Sequence, residues 1–203
     1  LAITNCLNFG NPENDEIMGE FAECLEGINE ACKFLNYPVV SGNVSFYNGT
    51  NKKNIHPTPV IGGVGLINKL SKPLDHNFKK NNSNLILIGK TFGHLEQSCF
   101  LKENYSINDG VPPEINLINE KNNGECLLKL INRNLILSSH DVSNGGLITA
   151  ISEMSIGSEY GVKIFKPKKL TNLVKYLFGE DQARYVIEIE KNNLPTVEKI
   201  FNE

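Results

Sequence analysis

The spacing of apolar positions predicts one helix with particular clarity. Between residues 14 and 36, apolar side chains recur at intervals of three and four and form one helical stripe: Ile17, Phe21, Leu25, Ile28, Cys32 and Leu35. Asp15 and Glu16 place negative charge at the positive N-terminal end of this helix. Pro38 cannot continue a helix and marks its end.

Short β-prone runs alternate with helical patterns along the rest of the chain. Strands are predicted at residues 1–4, 39–40 (short and buried), 58–67, 85–89, 135–137, 162–165 and 185–190. Further helices are predicted at residues 115–132, at the apolar stripe of Leu147, Ile151 and Met154, and from Pro195 onward. This alternation predicts an α/β or α+β protein.

A polar stretch at about residues 70–84 predicts a division into two domains. We place the boundary near residue 71, which gives domains at 1–70 and 71–203. The first residues enter a strand-like run without a methionine, and the last residues stop inside a predicted helix. We therefore expect the sequence to be an internal piece of a longer protein.

Composition argues against several classes of partner. The 203 residues carry a net charge of −3 and no basic stripe, which disfavours nucleic-acid binding. No apolar run approaches the roughly 20 residues that span a bilayer, so no membrane association is expected. The five cysteines are odd in number and form no C-x-x-C pair, which favours a reduced, cytoplasmic protein.

Three polar loops follow predicted strands, where α/β proteins commonly bind ligands. They span residues 4–12, 41–45 and 140–147. In the second loop, Gly42 allows a backbone N–H to approach a phosphate closely. Asn43 offers a neutral oxygen to a hard cation, and Ser45 offers a hydroxyl to a phosphate or sugar. Without the resemblance described below, a plain turn is the favoured interpretation of the first two loops.

The third loop combines His140 and Asp141 with a glycine-rich helix start. Such a start gathers backbone donors for an anion, whereas a simple helix cap by Asp141 or Ser143 is the more common role. Cys6 with His140 and Asp141 is a weakly supported nucleophile set, since no nucleophile-elbow motif is present. A zinc site is weaker still, because the four histidines are isolated in sequence.

Five ordered blocks closely resemble the large synthetase component of the phosphoribosylformylglycinamidine synthase family. They lie at residues 4–13, 38–45, 57–66, 139–147 and 177–185. The resemblance implies an aminoimidazole-ribonucleotide-synthetase-like, two-domain architecture. It also implies that the chain holds a partial N-terminal domain, the third of the full enzyme, and most of the C-terminal domain, the fourth.

The resemblance also implies an activity. Family enzymes convert formylglycinamide ribonucleotide, ATP and glutamine-derived ammonia into formylglycinamidine ribonucleotide, ADP and phosphate, with Mg²⁺ as cofactor. ATP phosphorylates the amide oxygen, which ammonia then displaces. A glutaminase subunit or domain and a small accessory subunit are the implied partners.

Site residues follow from the same resemblance. Asn5 and Gly42 match nucleotide-contacting positions, Asn43 matches a Mg²⁺ ligand, and Ser45 matches a position that holds the ribonucleotide substrate. No catalytic residue is assigned, because the family's catalytic histidine and main metal carboxylates lie in the other half of the enzyme.

The resemblance also implies that the family enzyme is an internal duplication, so that its second half holds a copy of the catalytic machinery. A second set of residues matches that copy: His140, Asp141, Glu180 and Gln182. For these residues a structural role is favoured over a non-reacting nucleotide site. Residues 94–101 depart from a stretch that is glycine-rich in the family, so nucleotide contacts there are not expected to carry over.

Two alternatives remain open. One is another ATP-using enzyme of the same fold, such as aminoimidazole ribonucleotide synthetase, selenophosphate synthetase or thiamine-monophosphate kinase. These families lack the block at residues 4–12, which argues against them. The other is a nucleotide-binding scaffold that is inert in isolation.

Overall fold

The computed structural model describes residues 1–67, 73–167 and 169–202. The chain forms two compact units, Leu1–Ser71 and Lys72–Glu203. The domain boundary that we predicted near residue 71 lies outside the described residues. The α/β (α+β) class with two synthetase-like domains is confirmed by the mixture of helices and strands and by the family comparisons given below.

The first unit contains one long helix and a small three-stranded sheet. Its elements are β1 (Ala2–Asn8), α1 (Asp15–Leu35), β2 (Val39–Ser45), β3 (Gly49–Thr50), β4 (Lys53–Asn54) and β5 (Thr58–Val64). The sheet order is β2-β1-β5, with β1 parallel to β2 and antiparallel to β5. Strands β3 and β4 form a separate antiparallel hairpin.

Helix α1 confirms the clearest sequence prediction. Asn14 caps its first turn, where Asn14 Oδ1 accepts a hydrogen bond from the Glu16 amide at 2.9 Å. Asn36 ends the helix in a left-handed conformation that satisfies the last carbonyl groups. The Phe21 ring of this helix packs edge-to-face between the rings of Phe9 and Phe46. The distances between ring centroids are 5.2 and 5.0 Å.

The second unit contains a three-stranded antiparallel sheet with helices on both faces. Its elements are β6 (Asn84–Ile88), α2 (Cys99–Tyr105), α3 (Leu117–Asn132), β7 (Ser138–Asp141), α4 (Gly146–Ile156), α5 (Leu173–Phe178), β8 (Tyr185–Ile189), a 3₁₀ turn at Lys191–Asn193 and α6 (Leu194–Phe201). The sheet order is β6-β8-β7. Side chains alternate along β8, so this strand contributes to two cores.

The two cores lie on opposite faces of the sheet. One contains Val186 of β8 with apolar residues of α4, including Leu147, Ile151 and Met154. The other contains Ile187 and Ile189 of β8 with residues of α3 and α6, including Leu130, Val197 and Ile200. The predicted apolar face of α4, the strand at 185–190 and the last helix beginning near Pro195 are therefore confirmed.

A fully buried carboxylate lies within this sheet. Glu188 of β8 has no exposed surface. Its two oxygens accept hydrogen bonds from the backbone amides of Lys79 and Lys80 at 2.8 and 3.1 Å. They also accept from the hydroxyls of Ser83 and Ser138 at 2.6 and 2.9 Å. Glu188 thereby fixes the segment that leads into β6 and the start of β7.

Several secondary-structure predictions were wrong. Residues 135–137 and 162–165 do not form strands in the structure, and the strand that follows residue 134 is β7 at Ser138–Asp141. Val39 and Val40 belong to a strand but are 46% and 67% exposed, so the strand is not buried within the chain. Helices α2 and α5 and the β3–β4 hairpin were not predicted, because all are short and lack a long apolar period.

Candidate functional site

The structure brings Asn5 and Gly42 side by side. They are register partners on the neighbouring parallel strands β1 and β2. A Cβ atom on Gly42 would overlap Asn5 Oδ1 and would lie 2.8 Å from Asn5 Cγ. The missing side chain of Gly42 is therefore the space that the Asn5 amide occupies.

Asn43 and Ser45 lie on the opposite face of the sheet from this pair. Side chains alternate along a strand, so Asn43 shares a face with its register partner Cys6, and Ser45 shares it with Asn8. Asn43 is exposed and Ser45 is half-buried. The four residues carried over from the resemblance are thus neighbours in space, but they form two pairs on two faces.

The Ser45 hydroxyl already has a hydrogen-bond partner. The side-chain amide of Asn48 donates hydrogen bonds to Ser45 Oγ at 3.2 Å and to the backbone carbonyls of Ser45 and Phe9, each at 3.0 Å. Asn48 therefore holds the end of β2 against the end of β1. A ligand that reaches Ser45 would share its hydroxyl with this side chain.

The second predicted loop is a strand. Residues 41–45 form most of β2 and pair with β1 along their whole length, so the turn that was expected there does not exist. The first predicted loop is likewise a strand up to Asn8, with irregular backbone following it. Pairing with β1 outweighs the turn preference of serine, glycine and asparagine in these segments.

The described residues do not make a Mg²⁺ site by themselves. Within them, no group of three or more histidine, cysteine, aspartate or glutamate side chains is placed to hold a metal ion. Asn43 offers one neutral oxygen, whereas Mg²⁺ requires six ligands in octahedral geometry. The chain therefore fits the ion only as the contributor of a single ligand.

In the second unit, Glu180 acts as a structural bridge. Its Oε1 accepts hydrogen bonds from the Cys99 amide at 2.8 Å and from the Gly145 amide at 2.7 Å. It thus joins the N-terminal ends of α2 and α4. The prediction that Asp141 or Ser143 caps α4 is wrong. The N-cap residue of this helix is Gly145, and the helix has no side-chain cap hydrogen bond.

Asp181 and Arg184 build the turn between α5 and β8. The Asp181 carboxylate accepts hydrogen bonds from the backbone amides of Phe92, Gly93 and His94 at 2.9–3.0 Å. The Arg184 side chain is buried and donates to the carbonyls of Asp181 and Gly179. Burial lowers the pKa of Arg184, and the nearby Asp181 carboxylate opposes that shift.

The contacts of His140 are with Asp141, Glu153 and His76. Its Nδ1 lies 2.7 Å from the Asp141 carbonyl, and its Nε2 lies 3.2 Å from Glu153 Oε2 on α4. Its ring also packs edge-on against His76 at 5.1 Å. These contacts describe a side chain that joins β7 to α4.

Two cavities meet at Gln182. One of about 270 Å³ is lined by Asp141, Ser143, Asn144, Glu180 and Gln182, among other residues. The second, of about 380 Å³, is lined by Gln182 with Lys90, Phe92, His94 and Asn119, among others. Three of the four residues that match the duplicated machinery therefore share one cavity, and His140 does not line it.

The cysteine-nucleophile set weighed from the sequence does not lie within one unit. Cys6 belongs to the first unit, whereas His140 and Asp141 belong to the second. Burial and the neighbouring Glu180 raise the pKa of Cys99, which makes its thiol less reactive. Among the residues that the structure describes, no helix has the length and apolar character needed to cross a membrane.

Sequence reasoning missed two residues that organise these sites, Asn48 and Asp181. Asn48 follows β2 closely, and asparagine after a strand is a signal for a backbone-satisfying turn. The Asp181 carboxylate accepts hydrogen bonds from three backbone amides that lie between 87 and 89 positions earlier in the chain. No local pattern signals contacts of that separation.

Comparisons with known proteins identify both units. A family model described as the N-terminal domain of AIR synthase related protein matches residues 1–67. A second model, described as the C-terminal domain of AIR synthase related protein, matches residues 82–203. The second match alone covers more than half of the chain.

Curated relatives carry one common name. The chain is 55% identical over 203 residues to the phosphoribosylformylglycinamidine synthase subunit PurL of Pelagibacter ubique (strain HTCC1062), covering 100% of the chain and 28% of that protein. It is 48% identical over 191 residues to the subunit of the same name from Bradyrhizobium diazoefficiens, covering 93% of the chain and 26% of that protein. The chain thus spans little more than a quarter of the length of these relatives.

Solved structures share the fold at low sequence identity. PurL of Thermotoga maritima complexed with FGAR aligns with a TM-score of 0.69 at 16% identity, over 98% of this chain and 33% of that one. A chain of the HypE–HypF complex aligns with a TM-score of 0.64 at 14% identity, over 100% of this chain and 66% of that one. With both of its units matched by the family models, the chain belongs to the AIR synthase related protein family.

Proposed function

We propose that this chain is a segment of phosphoribosylformylglycinamidine synthase, a ligase of purine biosynthesis. The observation that supports the proposal most strongly is the 55% identity, over the entire chain, to a subunit of that name. The full enzyme would use ATP and glutamine-derived ammonia to convert formylglycinamide ribonucleotide into formylglycinamidine ribonucleotide. On this proposal, the chain supplies binding groups and no catalytic residue.

The paired residues of β1 and β2 would contribute to nucleotide binding. Asn5 offers both an amide donor and an oxygen acceptor, and its position is set by the space that Gly42 leaves. On the other face, the exposed Asn43 would supply one neutral oxygen to Mg²⁺, and Ser45 would contact the ribonucleotide substrate. The remaining Mg²⁺ ligands would be phosphate oxygens and carboxylates from outside this chain.

Partners and location belong to the same proposal. The enzyme would take ammonia from a glutaminase subunit or domain, with a small accessory subunit in the assembly, and would act in the cytoplasm. A solved structure named PurLQS from Thermotoga maritima shares the fold, with a TM-score of 0.64 at 19% identity. Its name is consistent with such an assembly for that protein.

Replacing Asn43 with alanine in the full-length protein tests the site. We expect the Mg²⁺ concentration at half-maximal activity to rise by about tenfold or more, because one oxygen ligand is lost. The assay would follow ATP consumption with formylglycinamide ribonucleotide and ammonia at varied Mg²⁺. Asn29→Ala, on the exposed side of α1, is the matched control. An unchanged Mg²⁺ dependence in Asn43→Ala would remove the metal assignment.

The isolated 203-residue chain is expected to be inactive and to bind Mg-ATP weakly or not at all. On this proposal it carries a single ligand for the ion, and its described residues hold no group of three or more histidine, cysteine, aspartate or glutamate side chains that could complete the site. Isothermal titration calorimetry of this chain with Mg-ATP measures the binding directly. Tight binding of one nucleotide per chain would contradict the expectation and would favour a self-contained nucleotide-binding module.

A second candidate is another ATP-using enzyme of the same fold. The likeness to a chain of the HypE–HypF complex, with a TM-score of 0.64, shows that the architecture also occurs in proteins with other names. Identity to that chain is only 14%, against 55% to the synthase subunit. The synthase is therefore the better-supported assignment.

A further inference from the structure

Three asparagines of the sequence are followed directly by glycine: Asn48, Asn123 and Asn144. In such a pair the backbone nitrogen of the glycine can attack the side-chain carbonyl carbon of the asparagine, because glycine has no Cβ that shields its nitrogen. The product is a succinimide ring, which water then opens. The three pairs share this chemistry, and they differ in how the fold holds each asparagine.

The first pair is held by the side chain of Asn48. Its Nδ2 donates hydrogen bonds to the carbonyls of Phe9 and Ser45, each at 3.0 Å, and to Ser45 Oγ at 3.2 Å. Gly49 belongs to β3, where Asn54 of β4 is its register partner. A ring can form here only after these bonds break and the hairpin opens, so the fold protects this pair.

The second pair is held by a helix. Asn123 and Gly124 lie in the interior of α3, where each backbone amide donates to a carbonyl one turn earlier. The Asn123 side chain also donates to the carbonyl of Ala183 at 2.8 Å. Attack by the Gly124 nitrogen requires local unwinding of α3, so this pair is protected as well.

The third pair lies in a turn, and its asparagine side chain is not held. Asn144 is exposed and lies between β7 and α4, in neither a helix nor a strand. Within the part of the chain that the structure describes, its side chain makes no hydrogen bond or ion pair. The turn is closed by a hydrogen bond from the Gly146 amide to the Ser143 carbonyl at 3.0 Å. The side chain can therefore rotate towards the backbone without breaking a contact of its own.

Gly145 supplies the attacking nitrogen of this pair. Its φ is +78°, and a side chain at this position would overlap Thr149, so glycine is the residue that fits. Its N–H donates to Glu180 Oε1 at 2.7 Å. Reaction requires the nitrogen to give up this bond, which is a smaller rearrangement than opening a hairpin or unwinding a helix.

We propose that Asn144 is the site at which this chain deamidates spontaneously in its folded state. The Gly145 nitrogen forms a bond to Asn144 Cγ and loses its proton. The bond between Cγ and Nδ2 breaks, and Nδ2 leaves as ammonia with one added proton. Water then adds to one of the two ring carbonyls. Opening at Cγ gives aspartate, and opening at the main-chain carbonyl gives isoaspartate, so the reaction needs no oxidant, reductant or enzyme.

Isoaspartate at this position alters the bridge that Glu180 makes. It adds one carbon atom to the main chain immediately before Gly145, which moves the Gly145 amide relative to Glu180. Glu180 Oε1 would then keep its bond to the Cys99 amide, at 2.8 Å, without the bond to Gly145. The modification thus loosens the link between the N-terminal ends of α2 and α4. Aspartate, by contrast, leaves the main chain unaltered.

Incubating the full-length protein in heavy-oxygen water at mildly alkaline pH, below its unfolding temperature, tests the site. Peptide mass spectrometry then measures the heavy oxygen that each of the three asparagines gains. We expect Asn144 to react at least about tenfold faster than Asn48 and Asn123 in the folded protein. In urea, where the hairpin and the helix are lost, the three rates should agree within about threefold.

The variant Asn144→Gln is the matched control. It should abolish the signal at this position, because the longer side chain would have to close a larger ring. A rate at Asn144 no greater than that of the other two asparagines in the folded protein, or no reaction there, would overturn the proposal. A difference that persisted in urea would also overturn it, since flanking sequence and not the fold would then be the cause.

The effect on the bridge has its own measurement. The isoaspartate form, isolated by ion-exchange chromatography, should show about tenfold faster hydrogen exchange in the peptide that contains Gly145. Asn144→Asp carries the same new charge on an unaltered main chain and should exchange like the unmodified protein. Equal exchange in the isoaspartate form and the unmodified protein would refute the loss of this contact with Glu180.

Discussion

Replacing Glu188 with alanine is expected to destabilise the second unit by about 3–5 kcal/mol. The carboxylate has no exposed surface and accepts hydrogen bonds from two backbone amides and two hydroxyls. With alanine at this position, the two amides and two hydroxyls stay buried without an acceptor, and a cavity remains where the carboxylate was. Urea denaturation followed by circular dichroism measures the loss, and hydrogen exchange at β6, β7 and β8 assigns it to this unit.

Two further variants separate the buried carboxylate from a general effect of charge. Glu190→Gln removes a neighbouring carboxylate that is exposed and pairs with Lys80, so it should change stability by no more than about 0.5 kcal/mol. Glu188→Gln keeps one acceptor oxygen and should fall between the two. If Glu188→Ala and Glu190→Gln were equally stable, the four hydrogen bonds of Glu188 would not be what holds this sheet.

Replacing Gly42 with alanine in the full-length protein should lower kcat/KM for ATP by about tenfold or more. The new Cβ would overlap the Asn5 amide and force that side chain to another position. Misplacing a binding group by about 1 Å is enough for a loss of this order. The Asn5 amide can rotate away, and the Asn5 backbone carbonyl, 3.0 Å from the new Cβ, needs to shift only by a few tenths of an ångström, so the folded state should be affected less than the activity. Steady-state kinetics at varied ATP concentration measures the effect.

The control for this prediction is on β5, which pairs with the other side of β1. A Cβ on Gly63 of β5 would meet no atom within 4 Å, so Gly63→Ala should leave kcat/KM unchanged. The mechanism is tested by the double variant Gly42→Ala with Asn5→Ala. If Gly42→Ala acts by displacing Asn5, the two losses will not add. Full additivity would show that Asn5 is not the affected group.

Periodicity alone was sufficient to predict two elements, of which β8 is buried and α1 has an apolar stripe that is half-buried or exposed in the described residues. Helix α1 and strand β8 follow strict patterns over their whole length, and the structure reproduces both within about two residues. The same reasoning failed for residues 162–165, whose pattern suits a strand. A pattern describes which side chains could be buried, but pairing also requires a neighbouring strand.

The residues of the candidate site stay a prediction, whereas the geometry that we expected for them was wrong. Turn-forming residues at 41–45 predicted a loop, and only the neighbouring β1 makes this segment a strand. That difference places Gly42 and Asn43 on opposite faces, so a single turn cannot present both to one ligand atom. The bridge from Glu180 to Cys99 and Gly145 also depends on contacts between distant parts of the chain. Sequence spacing does not reveal such contacts.

The central claim is tested most directly by asking which substrate stimulates ATP consumption by the full-length protein. Formylglycinamide ribonucleotide would be compared with the substrates of aminoimidazole ribonucleotide synthetase, selenophosphate synthetase and thiamine-monophosphate kinase, each with Mg²⁺ and ammonia. We predict that formylglycinamide ribonucleotide alone stimulates ATP consumption and yields one amidine product per ADP. Stimulation by one of the other substrates, with none by formylglycinamide ribonucleotide, would contradict the assignment.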